Sequence, residues 1–163
     1  MPLLEQPPER PHILDSGLLH GRLQTMTVRV AETSGPGKNT RILIVEDEDN
    51  TRQALAKLLS REGFVVDAVA NGREALIYLR QQSVNLIVTD LKMPQMDGIS
   101  FLRELNKHFP KSNVIMITAY GGVESYLEAM NLGAFEYINK PVQIEELKMV
   151  MKKILNDKPR ETL

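Results

Sequence analysis

The sequence predicts an α/β domain built on a buried parallel sheet, and three observations carry that prediction. Five short apolar runs rich in β-branched residues recur along the chain, at 42–45, 64–69, 86–88, 114–117 and 135–138. Apart from Asp67 and Glu136 they are apolar rather than alternating, as strands covered on both faces should be. Each is followed by a stretch with helical periodicity. Strands alternating with helices imply right-handed crossovers and a sheet wound on both faces.

The elements follow in order from Arg41. Ile42, Leu43, Ile44 and Val45 form the first strand. A helix over 51–61 turns Ala54, Leu55, Leu58 and Leu59 inward, is started by Asp49 or Asn50 and is stopped by Gly63. After the second strand, Asn71-Gly72 is by itself a hairpin signal. Ala75, Leu76 and Leu79 follow at helical spacing, however, so Asn71 is read as the N-cap region of a helix over 73–81. The third helix, 98–108, carries Ile99, Leu102 and Leu105, and the fourth, 123–132, carries Val123, Leu127 and Met130. The last, 142–156, sets Ile144, Leu147, Met151, Ile154 and Leu155 on one stripe. Its Glu145 and Glu146 come early and Lys152 and Lys153 late, matching the helix dipole. Met149 and Val150 fall off the stripe and are expected at the surface. With Glu124, Tyr126 and Glu128 of the fourth helix they suggest a homodimer or partner face formed by the fourth helix, fifth strand and fifth helix.

The chain has 163 residues, with 42% hydrophobic and 25% charged, which suits one packed domain. Five of the nine prolines fall in the first forty residues, which end in the breaker-rich string Ser34-Gly35-Pro36-Gly37-Lys38-Asn39-Thr40. Residues 1–39 are therefore expected to be a disordered or loosely docked extension, 40–157 the domain, and 158–163 a tail. Leu18, Leu19 and Leu23 could make a short helical turn, and Met26, Val28 and Val30 a strand. A net charge of -1 provides no general field for nucleic acid or anionic lipid. The absence of cysteine excludes disulfides, thiolate metal sites and thiol catalysis. No apolar run approaches the roughly 20 residues needed to span a bilayer. The early Glu5 and Glu9, without an apolar core segment, do not read as a signal peptide. A cytoplasmic protein is expected, binding neither nucleic acid nor membrane.

The chemistry-bearing residues gather at strand ends. The first strand runs into Glu46 and Asp47, and the third runs through Thr89 into Asp90. In a doubly wound sheet the site lies beyond the carboxyl ends of the strands, where strand order reverses. Should the first and third strands flank that point, three carboxylates converge. Their mutual repulsion and desolvation raise at least one pKa unless a hard cation such as Mg2+ neutralises them. The fourth strand leads to Thr118 and the fifth to Lys140-Pro141, adding a hydroxyl and an ammonium. Acids with a metal, a hydroxyl and a lysine around one carboxylate suit phosphoryl transfer, with Asp90 as nucleophile.

Four segments resemble the receiver domains of bacterial response regulators: Ile-Leu-Ile-Val-Glu-Asp-Glu at 42–48, Thr-Asp-Leu-Lys-Met-Pro-Gln-Met-Asp-Gly at 89–98, Ile-Thr-Ala-Tyr at 117–120 and Asn-Lys-Pro at 139–141. The resemblance covers roughly 40–157. It implies a flavodoxin-like (βα)5 fold with strand order 2-1-3-4-5. It also implies a phosphorelay function, with Asp90 accepting a phosphoryl group from a phosphohistidine of a sensor histidine kinase or phosphotransfer protein. Asp47, Asp90 and the Lys92 backbone carbonyl resemble direct ligands of Mg2+, for which Mn2+ can substitute, and Glu46 resembles the acid that reaches the metal through water. Glu46 is one methylene longer than the Asp often found there. Lys140 resembles the lysine that pairs with the phosphoryl group, followed by a cis bond to Pro141. Thr118 resembles the switch hydroxyl and Tyr137 the switch aromatic, while Lys92 and Tyr120 border the phosphate. Such a domain is a phosphoacceptor rather than an enzyme, although it assists its own phosphorylation and dephosphorylation. The segment Ile-Thr-Ala-Tyr-Gly-Gly resembles receivers of enhancer-binding activators. That leaves open a stand-alone regulator or a piece of a longer transcription factor.

Three rival readings fit the residues less well. A haloacid-dehalogenase-type phosphatase also uses a strand-end Asp but needs a second Asp two residues on, where this chain has Lys92. A flavin binder on this fold needs a hydroxyl- and glycine-rich phosphate loop after the first strand. A phosphorylation-independent scaffold has no use for the complete set of acids, threonine and lysine.

Overall fold

The computed structural model describes residues 39–156, and the expectations for 1–38 and 157–163 lie outside the described residues. The elements are β1 (Arg41–Val45), α1 (Asp49–Arg61), β2 (Val65–Val69), α2 (Gly72–Gln81), β3 (Leu86–Asp90), α3 (Gly98–His108), β4 (Val114–Thr118), α4 (Val123–Asn131), β5 (Glu136–Asn139) and α5 (Ile144–Asn156). The strands form one sheet in the order β2-β1-β3-β4-β5, with every pairing parallel. The reversal of strand order falls between β1 and β3, as the doubly wound topology requires.

Side chains alternate across the sheet and so sort into two cores. Leu43, Val45, Ile87 and Met116 face one side with Phe101, Leu102 and Leu105 of α3. Ile42, Ile44, Val88, Ile117 and Ile138 face the other, with Leu59 of α1 and Leu147, Met151 and Ile154 of α5. This parity positions the site. Glu46 continues the phase of Ile42 and Ile44, Asp90 that of Leu86 and Val88, and Lys140 that of Ile138. All three therefore head for the α1/α5 side of the sheet's carboxyl edge.

Helix starts follow side-chain chemistry. Asn71 caps α2, its Oδ1 accepting from the Glu74 amide at 2.9 Å, and Asp97 caps α3 by accepting from the Ser100 amide at 2.7 Å. The N-cap of α1 is Glu48, not Asp49 or Asn50: its carboxylate accepts from the Thr51 amide at 3.1 Å. Asp49 is the first helical residue instead. α5 begins at Ile144, two residues after the expected start.

Three burial expectations are corrected. In α1 only Leu59 and Ser60 are buried; Leu55 and Leu58 are half-buried and Ala54 is exposed. Ala54, Leu55 and Leu58 of that helix line a cleft of about 410 Å³ together with Pro141 and Val142. In α5 Met149 is exposed as expected, but Val150 is buried at 6% exposure and belongs to the α1/α5 core. The inward stripe is thus wider than a single row of side chains. In α4 Val123 and Leu127 are exposed and only Ala129 is buried, because that helix touches β5 and α3 along a narrow line.

Candidate functional site

At the carboxyl edge of the sheet, three strand ends deliver three acids and a base to one place. Carboxylate oxygens of Glu46, Asp47 and Asp90 all lie within 4.8 Å of one another. Lys140 comes in from β5, its ammonium donating to Glu46 Oε2 at 2.7 Å and to Asp90 Oδ2 at 2.8 Å. Glu46 and Asp90 are buried, at 4% and 8% exposure, whereas Asp47 is exposed. The cluster is therefore open to solvent on Asp47's side.

The electrostatics follow from this crowding. Burial pushes the Glu46 carboxyl above its ordinary value, against the lowering effect of its hydrogen bond from Lys140. Burial also works against the Lys140 ammonium, but its hydrogen bonds to Asp90 and Glu46 outweigh it and hold the lysine pKa above its usual value. One lysine faces three carboxylates, so the trio retains excess negative charge. The donor set is entirely hard oxygen, with no imidazole or thiolate among these residues, and it fits a divalent cation of the Mg2+ type. The Glu46, Asp47 and Asp90 carboxylates are the groups that would hold it.

Two backbone devices fix this geometry. Arg52, in the first turn of α1, donates to the Glu46 carbonyl at 2.9 Å, pinning the acidic loop. After β3 the chain folds back so closely that a Cβ on Gly98 would sit 2.3 Å from the Asp90 carbonyl oxygen and 2.9 Å from Leu91 Cα. The Gly98 amide donates to the Leu91 carbonyl at 2.7 Å, closing the loop. The Lys92 amide donates to Asp90 Oδ1 at 3.3 Å, and the Lys92 ammonium lies 4.8 Å from the centroid of the Tyr120 ring.

Thr118 and Tyr137 form a second group on the opposite parity. Thr118 is fully buried, and its hydroxyl accepts from the Tyr120 amide at 3.1 Å. Tyr137 packs edge-on against Tyr126, with centroids 5.6 Å apart, and its hydroxyl lies 3.2 Å from Ser125 Oγ. The two groups meet through the backbone, where the Lys140 amide donates to the Thr118 carbonyl at 2.9 Å. The structure thus gathers Glu46, Asp47 and Asp90, with Lys140 contacting Glu46 and Asp90, joins Thr118 to Lys140 through the backbone, and sets Tyr137 apart against α4. Sequence reasoning missed Arg52, Gly121 and Ser125. Only the helical position of Arg52, five residues past Asp47, and the paired glycines 121 and 122 offered a signal.

Comparison with known proteins identifies the family. The family described as the response regulator receiver domain matches residues 42–152. The chain is 40% identical to the regulatory protein AtoC of Escherichia coli over 71% of this chain and 25% of that protein. It is 35% identical to sporulation initiation phosphotransferase F of Bacillus subtilis over 72% of this chain and 94% of that protein. Among solved structures, the beryllofluoride-activated NtrC4 receiver domain dimer superposes with a TM-score of 0.67 at 32% identity, covering 71% of this chain and 96% of that one. The chain belongs to the response regulator receiver family, the signalling domains of two-component phosphorelays. It spans about a quarter of the length of AtoC, ZraR and the NtrX-like regulator that it matches. No helix among the described residues is long and apolar enough to cross a membrane.

Proposed function

We propose that Asp90 is the phosphoacceptor of a receiver spanning 40–157, working with Mg2+. The observation that carries this reading is the Lys140 ammonium bridging two buried carboxylates, Glu46 and Asp90, while a third, Asp47, stays open to solvent. An ionised Asp90 oxygen attacks the phosphorus of a phosphohistidine. A P–O bond forms, the P–N bond to the imidazole breaks, and the departing nitrogen takes up a proton. Lys140, already 2.8 Å from Asp90 Oδ2, stays beside the charge that develops on the transferred oxygens. Asp47, Asp90 and the Lys92 carbonyl would hold Mg2+, with Glu46 reaching it through water, and the ion would supply further positive charge; Mn2+ would offer the same chemistry.

Water attack at phosphorus forms a new P–O bond, breaks the P–O bond to Asp90, releases inorganic phosphate and restores the carboxylate; the chain assists this dephosphorylation while acting as a signalling domain rather than an enzyme of metabolism. Thr118 and Tyr137 carry the state of Asp90 to α4. The donor is a sensor histidine kinase or phosphotransfer protein in the cytoplasm. The exposed Val123, Tyr126 and Leu127 of α4, with Met149 of α5, form the homodimer face. This accords with the dimer named in the NtrC4 structure.

The test is phosphotransfer from a phosphorylated donor with and without Mg2+. Wild type labels only with the metal and Asp90→Asn does not label at all. Equal labelling of the variant overturns the assignment.

A further inference from the structure

We infer that Gly121 and Ser125 are positioning residues that latch Tyr137 to the first turn of α4, so that the tyrosine's rotamer and the capping of that helix form one switch. The inference rests on the proposed role of Asp90 only for what trips the latch. The latch itself stands on geometry.

Two adjacent glycines precede α4, and their surroundings differ. A Cβ on Gly121 would lie 1.9 Å from the Tyr137 hydroxyl oxygen and 2.6 Å and 2.7 Å from its ring carbons. Real Cβ atoms do not approach so closely, and the obstacle is a ring pinned on its other sides. A Cβ on Gly122 would meet nothing within 4 Å. Tyr137 therefore lies across the bare Cα of Gly121, and only a glycine at that position leaves room for it.

Ser125 completes the latch. Gly122 is the N-cap of α4 and has no side chain to offer the helix amides. Ser125 caps in reverse: its Oγ accepts from the Gly122 amide at 3.1 Å and lies 2.9 Å from the Gly122 carbonyl, to which it donates. A serine hydroxyl has one proton to give. With that proton committed to Gly122, the 3.2 Å contact has Tyr137 donating to Ser125. One oxygen thus joins the tyrosine to the start of α4, and Tyr126 stacks edge-on against the same ring. The loop between is short. The Tyr120 amide is held by the Thr118 hydroxyl, so a pull on that hydroxyl moves Gly121 from beneath the ring. Release of Tyr137 then costs Ser125 a partner and frees Tyr126, on the face that α4 presents to partners.

The test uses the whole chain labelled with fluorotyrosine and followed by fluorine NMR. The four tyrosine resonances are assigned by single Tyr→Phe substitutions. In the absence of any phosphoryl mimic, Gly121→Ala shifts the Tyr137 and Tyr126 resonances and Gly122→Ala leaves both at the wild-type position. Ser125→Ala shifts Tyr137 in the same direction. Beryllofluoride with Mg2+ shifts Tyr137 in wild type and adds little in Gly121→Ala. A folded Gly121→Ala protein with an unmoved Tyr137 resonance overturns the latch. If that variant does not fold, an unmoved Tyr137 resonance in Ser125→Ala overturns it instead. A shift in Gly121→Ala with no response of wild type to beryllofluoride leaves the latch standing and removes the proposed phosphorylation trigger.

Discussion

The sheet carries two buried charged clusters, and they are built to opposite ends. Beside the amino-terminal part of β1, Arg41 donates to Asp67 at 2.7 Å, and the Tyr78 hydroxyl also donates to that carboxylate. One acid, one base and one hydroxyl satisfy each other, and Asp67 is only 4% exposed. Burial and the bond to Asp67 push the Tyr78 phenol up to about 12, so it stays neutral at physiological pH. Beyond the carboxyl end of β1, by contrast, three acids gather and Lys140 pairs with only two of them, Glu46 and Asp90. The first cluster is closed and needs nothing. The second is short of positive charge, which singles it out as the candidate site over the closed ion pair.

The largest effect should come from opening the closed cluster. Asp67→Asn leaves Arg41 facing a neutral amide in a half-buried setting, and urea unfolding should show a loss of about 2–3 kcal/mol with no change in phosphotransfer. A stable variant would mean the cluster is not closed. Completing the open cluster comes next. Mg2+ at ten times its Kd should stabilise wild type by about 1.4 kcal/mol, by preferential binding to the folded state. Asp67→Asn should keep that gain, and Asp47→Asn and Asp90→Asn should lose it; thermal melts with and without the ion read this directly.

The smallest effect is in pH. The folded pKa of Glu46 is raised above its ordinary 4.5 by burial. Its protonated form therefore favours the fold, and this contribution is present below 4.5 and lost as pH rises through the raised value. In metal-free buffer, wild type should gain stability relative to Glu46→Gln as pH falls through that window. Saturating Mg2+ should remove the difference. An equal pH dependence in the two proteins would contradict a strained Glu46.

Why one cluster was legible in the sequence and the other was not follows from how each is written. Glu46, Asp47, Asp90, Thr118 and Lys140 each stand at the end of an apolar run, and parallel topology puts all such ends on one edge, so finding the strands finds the site. Asp67 sits inside an apolar strand, and its partners Arg41 and Tyr78 lie 26 and 11 residues away on other elements. No local spacing announces a three-dimensional pairing of that kind. The same limit hid Arg52, whose bond goes to a backbone carbonyl, and the Gly121 notch, which exists only because Tyr137 arrives from β5. Helix faces were legible where one stripe meets the sheet, as in α3. They are less legible in α1 and α4, where apolar side chains line a cleft or face solvent.

Reductive trapping locates the phosphoacceptor proposed at Asp90. The protein is incubated with a small phosphodonor and Mg2+, then treated with borohydride, which reduces an aspartyl phosphate to homoserine. The modified residue is located by peptide mass spectrometry. The structure predicts homoserine at position 90 alone, dependent on Mg2+ and lost in Lys140→Met or Asp47→Asn. Homoserine at position 47, or labelling at 90 that is indifferent to the metal, would contradict it.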